Sequence, residues 1–124
     1  MVEMRAAHYP GRAPIDAYGN GGFRFAQMSH RGSLICLPSG IYGWEAPPVI
    51  DEASLARVFA ESNEIEILLL GTGRELVPVT RPLRERLREV HIVPEPMSTG
   101  AAVRTFNLLL AEERAVAAAL VAID

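Results

Sequence analysis

Hydrophobic positions along this chain switch between a period of two and a period of three to four, and the switches mark out its elements. Residues 1–18 mix Pro10, Gly11 and Pro14 with scattered apolar positions, which suits an irregular or edge-strand start. Gly19-Asn20-Gly21-Gly22 predicts a tight turn, because glycine and asparagine accept positive φ. Phe23 and Phe25 alternate with Arg24 as in a half-buried strand. His30-Arg31-Gly32 reads as the next turn, and Ser33–Leu37 as the partner strand of an N-terminal β-hairpin. Pro38-Ser39-Gly40 breaks that strand and leaves Ile41–Pro48 as a loop.

Beyond residue 50 strands and helices alternate. Asp51 is placed to cap a helix whose Leu55, Val58 and Phe59 keep the i, i+3, i+4 spacing. Ile65–Leu70 is a continuous apolar run ended by Gly71, the signature of a strand buried on both faces. Thr80 or Arg81 caps a second helix with Pro82 in its first turn and Leu83 and Leu87 inward. Val90–Val93 reads as a short strand stopped by Pro94 and Pro96, and Thr99 as the cap of a third helix ending near Leu110. By pattern alone Ala115–Ile123 fits either a continued helix or a final buried strand. The alternation predicts an α/β layered domain over residues 1–124, with the hairpin packed on one side.

Composition narrows the chemistry. The fractions of hydrophobic (49%) and charged (22%) residues are those of a globular chain, not a disordered one. All 12 basic residues are arginines, so neither a lysine Schiff base nor a P-loop lysine is available. A net charge of −3 gives no basic excess for nucleic acid, and none is expected as a partner. Met1–Arg5 carries two charges and no apolar signal segment follows it. The longest apolar run, Ala115–Ile123, is too short to span a bilayer, so no integral membrane segment is expected and the cytoplasm is the expected location. The lone Cys36, among Leu34, Ile35 and Leu37, reads as a small core residue.

Gly71-Thr72-Gly73 follows the buried strand, where open α/β sheets bind ligands, and its N–H groups suit an anion. The dinucleotide fingerprint is not completed, because Leu76 stands where a third glycine is required. Thr99, Gly100, Arg104 and Asn107 gather at the start of the third helix and offer a grip for a carboxylate or phosphate. The plainer readings are a strand-exit turn, a cap, an ion-pair partner and a backbone brace. Tyr42 and Trp44 are candidate interface aromatics, or seals at the edge of the core. Arg81, Arg84, Arg86 and Arg88 interleave with Glu85 and Glu89, and the pairs Arg81–Glu85 and Glu85–Arg88 suit a solvated, salt-bridged face. His8, His30 and His91 lack metal-ligand spacing, and neither Ser33 nor Ser39 lies in a G-x-S-x-G elbow. No catalytic residue, metal or cofactor is therefore assigned.

Three stretches together carry a resemblance. They are Gly22–Phe25 leading to Gly32-Ser33-Leu34 and Leu37–Trp44; Glu66–Gly73; and Met97–Leu109 with Glu112 and Ala117–Leu120 beyond. From about residue 5 the chain resembles domain-of-unknown-function family 498, which includes a mitochondrial complex I assembly factor and an adipogenesis-associated domain protein. The resemblance implies a compact three-layer α/β fold around a mixed central sheet flanked by helices, with a strand after Arg114. This chain has Phe106 where the family tends to have tyrosine, and Glu113 where it often has glycine. The family brings no established catalytic residues.

The expected function is a non-enzymatic protein-binding or assembly-factor-like module whose protein partner the sequence does not name. The competing expectation is a small-molecule or anion-binding protein or enzyme. Its site would lie between Gly71–Gly73 and the start of the Thr99–Leu110 helix. Small α/β domains also pair through apolar faces or edge strands, so a homo-oligomer stays open.

Overall fold

A computed structural model describes residues 9–124; Met1–Arg5 and His8 lie outside the described residues. The first half is all strand: β1 (Tyr9–Pro10), β2 (Ile15–Gly19), β3 (Gly22–Phe25), β4 (Met28–Arg31), β5 (Ser33–Leu37) and β6 (Gly40–Trp44). A 3-10 turn at Ala53–Leu55 then runs into helix α1 (Ala56–Ala60). There follow β7 (Ile67–Gly71), α2 (Arg81–Glu89), β8 (Val93–Met97), α3 (Thr99–Ala111) and β9 (Val116–Leu120). A mixed sheet has the order β1-β6-β5-β9-β7-β8, and a second sheet the order β2-β3-β4. In the larger sheet β7 is parallel to β8 and β9, and the other pairs are antiparallel.

The pleat sorts the apolar residues into two cores, because side chains alternate across a strand. Leu34, Cys36, Leu69, Ala118 and Leu120 face one way and pack with Ala102, Val103 and Phe106 of α3 and Phe23 and Phe25 of β3. Ile35, Leu37, Leu68, Leu70, Ala117 and Ala119 face the other way, against Leu55, Val58, Leu83 and Leu87 of α1 and α2. Three layers result. The helix placement follows from the handedness of crossovers. The β7–α2–β8 connection steps outward and β8–α3–β9 steps back past β7, so right-handed crossovers put α2 and α3 on opposite faces.

The strand predicted after Arg114 by resemblance is β9, buried along its whole length. Several local expectations are corrected. Phe23–Phe25 does not pair with Ser33–Leu37: β3 pairs with β2 and β4, while β5 joins the large sheet. Of the expected turn at His30–Gly32, His30 and Arg31 are strand and only Gly32, at φ 100°, bends the chain between β4 and β5; the hairpin reverses at Ala26-Gln27, both at positive φ. These two residues carry no turn signal, so the tight hairpin went unmarked. The Asn20-Gly21 turn does form as expected, with positive φ at both positions.

The expected loop Ile41–Pro48 begins as strand, because Ile41, Tyr42, Gly43 and Trp44 lie opposite Cys36, Ile35, Leu34 and Ser33. The strand expected at Val90–Val93 is displaced to Val93–Met97, with two prolines inside it. Val93 N–H donates to Glu66 O at 2.9 Å, so every second residue turns its nitrogen to β7, while Pro94 and Pro96 turn theirs to the open edge. Val90-His91-Ile92 instead closes α2: Ile92 N–H donates to Leu87 O and His91 N–H to Arg88 O, with His91 at φ 62°.

Candidate functional site

The turn after β7 and the start of α3 are brought together, as the sequence suggested, and are then tied to each other. Ser98, not Thr99, is the N-cap of α3, its hydroxyl accepting from Ala101 N–H at 3.3 Å. Thr99 is the first helical residue and fully buried. Its hydroxyl donates to Val121 O at 2.7 Å and accepts Gly73 N–H at 3.0 Å. Thr72 is similarly committed, donating from its hydroxyl to Glu75 O at 2.7 Å and accepting Val77 N–H at 2.8 Å. A Cβ at Gly71 would sit 3.0 Å from Thr99 Cα and Leu120 Cδ2, so a side chain fits there only if these neighbours shift. An anion entering here would have to displace these internal hydrogen bonds.

The other residues of the expected grip are dispersed. Gly100 packs against the hydroxyl end of Tyr18. Asn107 clasps the backbone of Ile15, accepting its N–H and donating to its carbonyl, both at 2.9 Å. Arg104 is exposed, with no hydrogen-bond or ion-pair partner among the described residues. Tyr42 and Trp44 are half-buried at the edge of the α1–α2 core. Trp44 Nε1–H donates to Ser54 O at 2.8 Å, the Tyr42 hydroxyl meets Ser39 Oγ at 2.7 Å, and Arg57 stacks 4.3 Å above the Tyr42 ring. Together these tie β6 to the 3-10 turn and to α1.

Burial pushes the Cys36 thiol well up from its ordinary range, so it stays a neutral core group. His30 is buried with Nε2 3.1 Å from Ser33 O, while His91 is exposed at the end of α2. The helix arginines behave as a solvated face. Arg81 pairs with Glu85, and Arg86 takes Glu52 and Glu89; Glu85–Arg88 is not among the described ion pairs.

Empty space lies on the other side of the Gly71–Gly73 turn. A cleft of about 430 Å³ opens at the C-terminal ends of β7 and β9, on the face covered by α1 and α2. Leu70, Leu83 and Val121 form its floor, and the segments Ala46–Ile50 and Val77–Thr80 its walls. Thr72 is the one residue of the expected site that borders it. Val49 and Val77 line the cleft yet are 61% and 56% exposed, and Leu76, next to Val77 in the chain, is 55% exposed, so both proline-bearing loops present aliphatic side chains to solvent. A shallower hollow bordered by Asp51 and Glu52 adjoins it and shares Thr80 and Leu83. Sequence reasoning passed over these residues as connectors. The available signal was that Ala46–Ile50 and Leu76–Val79 are apolar where connecting loops are ordinarily polar.

Among the described residues the lining is apolar side chains and hydroxyls, with no ionisable side chain, an arrangement suited to burying apolar surface of another molecule. No helix among the described residues is long and apolar enough to cross a membrane.

Residues 15–121 match the model of a family described as protein of unknown function (DUF498/DUF598). A crystal structure described as an outer membrane protein from Bartonella henselae is 63% identical and superposes with a TM-score of 0.91, covering 94% of this chain and all of that one. An uncharacterised protein of Rhodobacter capsulatus is 37% identical over 94% of this chain and 90% of its own length. NADH dehydrogenase [ubiquinone] 1 alpha subcomplex assembly factor 3 of Mus musculus is 27% identical over 97% of this chain. This chain spans 66% of that assembly factor's length.

Proposed function

The chain belongs to the DUF498/DUF598 family of proteins of unknown function, and from that membership we propose that it is a non-enzymatic protein-binding module that assists assembly of a respiratory NADH dehydrogenase. The observation that carries the reading is the exposure of Val49 and Val77 on the cleft walls and of Leu76 beside Val77 in the chain. Three large aliphatic side chains, each more than half exposed and on adjoining loops, are the kind of surface a protein partner covers. Tyr42 and Trp44, the interface aromatics expected from the sequence, are half-buried and engaged with Ser39, Arg57 and Ser54. The relatives that are assembly factors for NADH dehydrogenase supply the class of client. The module works in the cytoplasm; the relative described as an outer membrane protein makes fractionation of the native cell a necessary control.

The test is deletion of the gene in its own organism, with assembled NADH dehydrogenase measured by in-gel activity. The expected result is a several-fold drop, restored by the wild-type gene and not by a V49S/L76S/V77S triple variant of unchanged melting temperature. Full enzyme levels in the deletion strain would overturn the reading.

A further inference from the structure

We infer that the cleft between Ala46–Ile50 and Val77–Thr80 is a binding site for a neutral, largely apolar small molecule carrying a hydrogen-bond acceptor. The inference goes beyond the protein-binding reading, with which it shares Val49 and Val77. It rests on the size, stiffness and charge of the cleft.

At about 430 Å³ the cleft lies within the range of roughly 300–1,000 Å³ typical of small-molecule pockets. Its position, beyond the carboxyl ends of the parallel strands β7 and β9, is where open α/β sheets place ligands. The walls are preformed. Pro47, Pro48 and Pro78 fix their own φ angles, which lowers the ordering cost of binding. The same prolines have no N–H, so the walls offer few backbone donors to an occupant.

Three hydroxyls remain on the lining, and that of Thr72 is spent on Glu75 O and Val77 N–H, which leaves those of Ser33 and Thr80. Ser33 Oγ accepts Ala122 N–H at 2.9 Å, and its own proton has no acceptor among the described residues. Thr80, at the N-cap position of α2, makes no capping hydrogen bond with its side chain. Each has a hydroxyl proton to donate, so a carbonyl, ester or amide oxygen is the matching group on the ligand. A charged head group is disfavoured. An ion brought in from water would meet no opposite charge on the lining among the described residues, and Asp51 beside the adjoining hollow opposes an anion in particular.

The neutral dye Nile red, which carries a ring carbonyl, is the probe. Its fluorescence is titrated against the wild-type chain and against Ala46→Trp, which fills the cleft from a half-buried loop position, and Thr80→Val, which removes one donor. Methyl NMR spectra locate the dye and verify the fold of each variant. We expect saturable one-to-one binding, with shifts at Val49, Val77, Val79 and Leu83. Affinity should fall at least tenfold in Ala46→Trp and about threefold in Thr80→Val. No saturable binding, or binding that Ala46→Trp leaves unchanged, would overturn the site. Equal affinity for the anionic dye 1-anilinonaphthalene-8-sulfonate at the same methyls would overturn the assignment of a neutral ligand.

Discussion

Gly73 and Thr99 hold each other by two hydrogen bonds that run in opposite directions. Thr99 N–H donates to Gly73 O at 2.8 Å, and Gly73 N–H donates to Thr99 Oγ1 at 3.0 Å. The same hydroxyl donates to Val121 O, so one buried side chain joins the exit of β7, the start of α3 and the segment after β9. Replacing Thr99 by valine keeps the shape and leaves Gly73 N–H and Val121 C=O without that partner. The expected loss is about 2–3 kcal/mol, since stranding a buried polar group costs about 1–3 kcal/mol. Urea denaturation measures it, and Thr99→Ser, which keeps the hydroxyl, should lose less than half as much.

Gly71 explains how closely α3 approaches that strand end. A methyl group there would meet Thr99 Cα and Leu120 Cδ2 at 3.0 Å and Ala102 Cβ at 3.2 Å. Gly71→Ala is therefore expected to destabilise by about 1–3 kcal/mol, the usual range for overpacking. A thermal melt would register it as a drop of several degrees, and an unchanged melt would mean the helix shifts freely.

Two helices end on residues in the left-handed region that are not glycine. After α3, Arg114 N–H donates to Leu109 O and Glu113 N–H to Leu110 O, with Glu113 at φ 60°. His91 occupies the equivalent place after α2, where Leu87 and Ile92 are both buried in one core. The left-handed region costs a side chain about 1–2 kcal/mol, offset in part by the extra chain entropy of glycine. Glu113→Gly and His91→Gly should each stabilise by about 0.5–1 kcal/mol, and the two effects should add, because the sites are in different layers. Chemical denaturation of both single variants and the double variant checks this.

Asn107 attaches the small sheet to α3 through its two hydrogen bonds to Ile15. Asn107→Ala removes both and strands the peptide groups of β2. The expected cost is about 2 kcal/mol. Amide exchange should speed up first in β2 and β3, while β7 and β9 stay protected; uniform acceleration would show that the small sheet does not open separately.

The legible parts of the fold were those set by local pattern. The Ile65–Leu70 run, the Leu83–Leu87 stripe and the Asn20-Gly21 turn each carry their period or φ preference in the residues themselves. Pairing was less legible, because nothing in Phe23–Phe25 or Ser33–Leu37 states which sheet each joins. Pro94 and Pro96 argued against a strand, and the argument fails only because β8 is an edge whose outward nitrogens need no partner. The site residues show the same limit. Thr72, Gly73, Thr99 and Asn107 were identified as polar groups that converge, but sequence spacing does not reveal that their hydrogen bonds are spent on one another and on Ile15 and Val121. The cleft was missed because its walls come from two loops far apart in the sequence, Ala46–Ile50 and Val77–Thr80.

The central claim is that a protein partner covers Val49, Leu76 and Val77. Its most direct test is photo-crosslinking in the native cell, with a benzophenone amino acid placed at Leu76 and, as a control, at Arg104 on the opposite layer. The account predicts a discrete adduct at position 76 alone, identified by mass spectrometry as a subunit or assembly intermediate of NADH dehydrogenase. No adduct at position 76, or the same adducts at both positions, would contradict it.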